Sequence, residues 1–131
     1  MTTSQANNPL GPGYEGVAGS EKRFRDVFRD TLRAEMIRDE DVFLMGEDIS
    51  GGFDKETKEP LDAWGGPFAA TKGLVQEFGP ERIRDAPISE AGFVGAAVGS
   101  ALTGLRPVVD LMYFDFVTVA FDQLLSNAAK S

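Results

Sequence analysis

Neither cysteine nor histidine occurs in this chain. The first absence excludes disulfides, thiol nucleophiles and thiolate metal sites. The second removes the side chain that titrates nearest neutral pH and the commonest metal ligand. Any acid–base chemistry must then rest on carboxylates, Tyr, Lys or a bound cofactor. Basic residues are also scarce: 13 Lys and Arg stand against 21 Asp and Glu, a net charge of −8. With no basic face to neutralise phosphates, this balance argues against nucleic acid and against anionic membrane surfaces. Long apolar runs are missing too. The least polar stretch, "PISEAGFVGAAVGSALTGL" at 87–105, carries its apolar run over 91–105, short of the roughly 20 residues that span a bilayer. No basic segment followed by an apolar run opens the chain, so no signal peptide is read and a cytoplasmic protein is expected.

What is present suits one domain with a modest core: 131 residues, 42 % hydrophobic and 26 % charged. Residues 1–20, rich in Gly, Asn, Ser and Pro, read as a flexible arm. "GPGYEG" at 11–16 matches G-x-G-x-x-G, but no strand precedes it and Pro12 interrupts it, so it is a chance match. Phe24, Val27, Phe28, Leu32 and Met36 fall at helical spacing and predict a helix over 21–38, with Ser20 as N-cap. "VFLMG" at 42–46 predicts a buried strand, and 47–66 a long polar loop. Asp48 and Glu59 stand at the first and twelfth positions of a calcium-loop spacing, but Phe53 occupies the sixth, where Gly belongs, so a solvated loop is the reading. A helix over 68–78, a strand at "ERIRDAP", a helix from Ser89 to Gly104, a strand at 107–113 and a helix over 115–129 complete the pattern. Strands alternating with helices imply an α/β fold: a doubly wound, mainly parallel sheet with helices on both faces. Three strands are few for such a sheet, and no strand follows the last helix, so the chain reads as part of a larger α/β domain.

The helix that begins at Ser89 holds one ionisable group, Glu90, at its mouth. Ser89 is the expected hydroxyl cap, and a carboxylate in the first turn is favoured by the helix dipole. A capping acid explains Glu90 on that basis alone. The body of the helix asks for more. Gly92, Gly95, Gly99 and Gly104 each cost about 0.8–1 kcal/mol relative to Ala inside a helix. Gly95 and Gly99, with Ala91, Ala96, Ala97 and Ala101 around them, let another backbone come close, on the sheet or in another subunit. Ligands of doubly wound sheets sit at the carboxyl ends of strands, near helix N-termini, and Glu90 stands at that edge. Burial there would raise its proton affinity and the dipole would lower it.

"VFLMGEDI", "TKGLVQEFGPERIRDAPISEAGFVGAAVGSALTGLRPVVDLMYFDF" and "FDQLLSNAAK" strongly resemble the beta subunit of the thiamine diphosphate-dependent decarboxylating component of 2-oxo acid dehydrogenase complexes. The resemblance covers about residues 21–130, and "GGFDKETKEPLDAWGGPF" looks most like the acetoin dehydrogenase branch. It implies that 21–131 is part of the pyrimidine-binding domain of the transketolase-like fold, with the rest of that domain and a second domain absent. It implies thiamine diphosphate as cofactor, shared with an alpha subunit that holds the diphosphate and magnesium through a G-D-G motif lacking here. The implied partners are that alpha subunit and a second beta subunit in a heterotetramer, a lipoyl acyltransferase component and a 2-oxo acid. No metal ligand is assigned to this chain.

The family's glutamate in "ISE" maps onto Glu90. In the family it shares a proton with a pyrimidine nitrogen and favours the imino tautomer, which takes the proton from the thiazolium carbon. Met112 and Phe116 in "LMYFDF" match positions lining the aminopyrimidine pocket, Phe116 by stacking; core packing would account for both on spacing alone. Ile88 and Glu47 are further cofactor contacts, and Asp115 is the weakest candidate. The family's later catalytic histidine and potassium-binding residues match nothing within residues 1–131. Two other functions compete: a non-catalytic interaction module keeping only the small-residue helix face, and a transketolase or deoxyxylulose phosphate synthase piece.

Overall fold

The alternation of helices and strands is present in the computed structural model, which describes residues 23–51, 56–57 and 64–131. The elements are α1 (Phe24–Arg38), β1 (Val42–Gly46), α2 (Leu74–Phe78), β2 (Ile83–Asp85), α3 (Glu90–Leu102), β3 (Arg106–Asp110) and, after a 3-10 turn at Phe114–Phe116, α4 (Val117–Asp122). The arm, "GPGYEG" and the Ser20 cap lie outside the described residues; Arg23 occupies the N-cap position of α1. All strands are parallel in the order β2-β1-β3, with Leu44 beside Ile83 and Val108.

Successive strand residues point to opposite faces, and the core divides accordingly. Leu44 and Val108 join Leu32 and Met36 of α1 and Leu74 and Val75 of α2 on one face. Met45 and Val109 join Phe93 and Val94 of α3 and Ala120 of α4 on the other. Helices therefore cover both faces of a parallel sheet, the doubly wound arrangement expected.

Arginines fasten the amino ends of the strands. Arg82 donates to the carbonyls of Val42 (2.6 Å) and Asp39 (2.8 Å) while lying over the Phe78 ring. Arg106 pairs with Asp39, and its own N–H reaches the Asp41 carbonyl at 2.9 Å. The carboxyl ends are acidic instead: Glu47 follows β1, and Asp85 and Asp110 close β2 and β3.

Several boundaries differ from the expected ones. The helix expected over 68–78 is helical only from Leu74, since 66–70 turn through Gly66 (φ 73°) and Ala69 (φ 53°). The strand expected to reach 113 stops at Asp110, whose carboxylate accepts the Met112 N–H at 2.8 Å and helps turn the chain, with Met112 at φ 62°. The last helix is continuous in path but uneven in pitch, passing from α into a π turn at Gln123–Asn127 and a 3-10 end. Ser89 caps α3 without its hydroxyl: at φ −167° and ψ 71° only its carbonyl takes part, accepting the Phe93 N–H at 3.0 Å. Gly104 does close α3. Its φ of 103° lets Leu105 N–H reach Ser100 O and Gly104 N–H reach Ala101 O, both at 3.1 Å, a Schellman ending. In α1, Leu32 and Met36 are buried, but Phe24 and Phe28 are exposed.

Candidate functional site

β2 ends at Asp85, and the Ala86 N–H bonds the Gly46 carbonyl (2.8 Å), so the loop leading to α3 starts beside the end of β1. Pro87, Ile88 and Ser89 follow, exposed, and Glu90 opens the 13-residue α3. Glu90 is 9 % exposed, the one carboxylate among the buried residues of the described structure. A buried acid at the positive end of a helix has its charge supported by backbone dipoles.

Glu47, which follows β1, lies within reach of its charge. Burial, then the charge of Glu90, then that of Asp48 push the Glu47 carboxyl above its ordinary range. Two carboxylates held near one another disfavour joint ionisation. The turn that carries Glu47 is tied at three successive residues. The Asp48 carbonyl accepts the Gly66 N–H (3.1 Å), the Ile49 carbonyl accepts the Thr71 hydroxyl (2.9 Å), and Ser50 donates both N–H (2.9 Å) and hydroxyl to the Asp85 carboxylate. Gly46 must be glycine for this path, because a Cβ would sit 2.8 Å from the Asp110 carbonyl oxygen.

The other expected residues spread along the same sheet edge. Ile88 is 84 % exposed, beside Glu90 in sequence but covered by little of this chain. Phe116 is half-exposed and meets Tyr113 edge-on at 6.1 Å between centroids; Tyr113 in turn meets Phe68 at 5.1 Å. Met112 lines a cavity of about 680 Å³ with Phe24, Phe28, Phe68 and Val108, on the α1 side of the sheet. Glu90, Glu47, Ile88 and Phe116 do not line that cavity. The structure thus sets Glu47 within reach of the Glu90 charge and Met112 in a different wall. Asp115 is exposed, and its carbonyl accepts the Thr118 hydroxyl.

Sequence reasoning missed Asp85, Ser50 and the Phe68–Tyr113–Phe116 chain of rings. An acid ending a short strand immediately before "APISE" was the available signal for Asp85. Of the calcium-loop spacing, Glu59 and Phe53 lie outside the described residues. Among the described residues no group of three or more Asp or Glu could hold a metal ion, and no helix is long and apolar enough to cross a membrane.

A parallel α/β sheet with helices on both faces and a buried acid at a helix mouth on its carboxyl edge places the fold in the doubly wound class, in which ligands sit at that edge. Residues 20–131 match the family described as transketolase, pyrimidine binding domain, and the chain belongs to that family. It is 48 % identical over 105 residues to the acetoin:2,6-dichlorophenolindophenol oxidoreductase subunit beta of Bacillus subtilis, covering 80 % of this chain and 31 % of that protein. It is 43 % identical over 128 residues to the pyruvate dehydrogenase E1 component subunit beta of Rhizobium meliloti, covering 97 % of this chain and 25 % of the relative. The same subunit of Rickettsia felis is 43 % identical over 107 residues, 82 % of this chain and 29 % of its own length. The chain therefore spans about a third or less of these relatives and is homologous to beta subunits of pyruvate and acetoin dehydrogenases.

Proposed function

We propose that this chain supplies the pyrimidine side of a thiamine diphosphate site, as the corresponding part of a 2-oxo acid or acetoin dehydrogenase beta subunit. The observation that carries this reading is Glu90, buried at the mouth of α3 on the carboxyl edge of the sheet. The donor set fits one end of the cofactor. A buried carboxyl suits a ring nitrogen with which it shares a proton at about 2.7–3.0 Å. Exposed Ile88 and half-exposed Phe116 offer apolar surface for a flat heterocycle, while Met112 faces the separate cavity on the α1 side. In this reading an alpha subunit holds the diphosphate and its magnesium. A second beta subunit and a lipoyl acyltransferase component complete the proposed assembly.

When bound, the cofactor supplies the carbon nucleophile and the electron sink for decarboxylation. Glu90 would hold or yield a proton at the pyrimidine nitrogen, and the apolar residues would pack against the ring and exclude water. Burial and the Glu90 charge raise the proton affinity of Glu47 on the same edge of the sheet. The test is Glu90→Gln in the beta subunit assembled with its alpha partner. Loss of about 100-fold or more of cofactor-dependent decarboxylation is expected, with an unchanged thermal melt. Near-normal turnover would overturn the role.

A further inference from the structure

Asp85 sits where the loops after β1 and β2 meet. It closes β2 in register with Gly46, the last residue of β1. From there its carboxylate takes both hydrogen bonds that Ser50 offers it, one from the backbone N–H at 2.9 Å and one from the hydroxyl. The segment between these anchors is short: Glu47, Asp48 and Ile49. Asp48 has a φ of 51°, a left-handed conformation that a non-glycine residue keeps only where its surroundings hold it. Ile49 is 1 % exposed and so plugs the turn into the core. A side chain that grips one end of a strained three-residue arch fixes what the arch carries at its other end.

We propose that Asp85 is a positioning residue, which clamps the Glu47–Ser50 turn through Ser50 and thereby fixes the Glu47 carboxyl within reach of the Glu90 charge. The proposal rests on the functional reading above only for its consequence in turnover; the clamp itself needs no cofactor. The charges that face Glu47 are Glu90 from α3 and Asp48 from its own turn. If the turn opens, Glu47 gains water and moves from Glu90, so its proton affinity falls.

The experiment follows the Glu47 carboxyl resonance against pH by NMR in the full chain, assigned with Glu47→Gln. In Asp85→Ala the titration midpoint is expected to fall toward the ordinary carboxylate range. Asp85→Asn removes the same charge but keeps an oxygen for the Ser50 N–H and an amide group for the hydroxyl, so it is expected to keep the midpoint raised. An unmoved midpoint in folded Asp85→Ala overturns the clamp. An equal fall in Asp85→Asn assigns the effect to lost charge and also overturns it. Should Asp85→Ala fail to fold, Ser50→Ala decides: a smaller fall supports the clamp, and no fall sinks it. In the assembled enzyme Asp85→Ala is expected to lose roughly tenfold or more in kcat with little change in KM, rescued by Asp85→Asn. An inactive wild-type assembly would remove the functional reading while leaving the titration result to stand.

Discussion

On the α1/α2 face of the sheet, Met36, Leu44, Ile49, Leu74 and Ile83 are each at most 2 % exposed. On the α3/α4 face the buried cluster shrinks to Phe93, Val94 and Ala120, and Val119, Phe121 and Leu125 of the last helical segment are each 54 % exposed. The first face is built of large branched and flexible side chains that fill space. The second is built around a helix of glycine and alanine that leaves space. Gly95 is pressed by the Gln123 side chain, whereas a Cβ on Gly99 would meet nothing within 4 Å. The difference teaches that the two layers serve different ends. The α1/α2 face holds the sheet together, and the α3/α4 face carries Glu90 at one end and leaves apolar surface outward along its length. The division is not complete, because Phe24 and Phe28 leave the first half of α1 open over the 680 Å³ cavity.

The largest effect that would break this comparison is on the first face. Leu44→Ala empties a fully buried position of the central strand and is expected to cost about 2–5 kcal/mol. Val94→Ala, on the second face, removes two methyl groups and is expected to cost about 1.5 kcal/mol, at roughly 0.8 kcal/mol per group. Urea midpoints of the two variants test the ordering. Equal losses would mean that both faces carry the fold alike.

A smaller effect of opposite sign sharpens it. Gly99→Ala adds a methyl group into open space in a helix, and a gain of about 0.4–1 kcal/mol is expected in the chain alone. A thermal melt reads the gain. Destabilisation instead would show that Gly99 is already in contact within this fold, and the claim of an open helix face would fail.

Much of this was legible in the sequence, for physical reasons that differ between elements. The strand "VFLMG" and the helix holding Leu32 and Met36 follow from apolar periodicity, which burial enforces. The Gly104 stop is legible because only a positive φ closes a helix that way. Glu90 stands out in the sequence because a single acid opens an apolar helix, and its burial is as that contrast suggests. The Ser89 hydroxyl cap was not to be had, since cap chemistry depends on backbone angles that composition does not carry. The turn at 66–73 hides behind helix-forming residues because Gly66, Ala69 and Gly73 take positive φ there. Asp85 and Ser50 lie 35 residues apart, and only the parallel register of β1 and β2 brings them together. The wall in which Met112 sits depends likewise on how α1 crosses the sheet, which no local pattern states.

The finest test concerns Glu47, whose proton affinity its surroundings raise. Glu47 sits above its ordinary value of 4.5 through burial, Glu90 and Asp48, in that order. A carboxyl with a raised folded value binds its proton more tightly folded than unfolded. Its contribution to stability is therefore fully present below the ordinary value and is lost as pH rises through the raised one. Above that window an ionised Glu47 faces two like charges and weighs against the fold. Glu47→Gln, neutral at every pH, is expected to be more stable than the parent near neutrality, with the gap closing as pH falls toward 4.5 and below. Urea midpoints of both chains across that range give the answer. A gap independent of pH would assign the gain to packing rather than charge. A gap that widens on acidification would reverse the sign and remove Glu47 from the acidic pair at the mouth of α3.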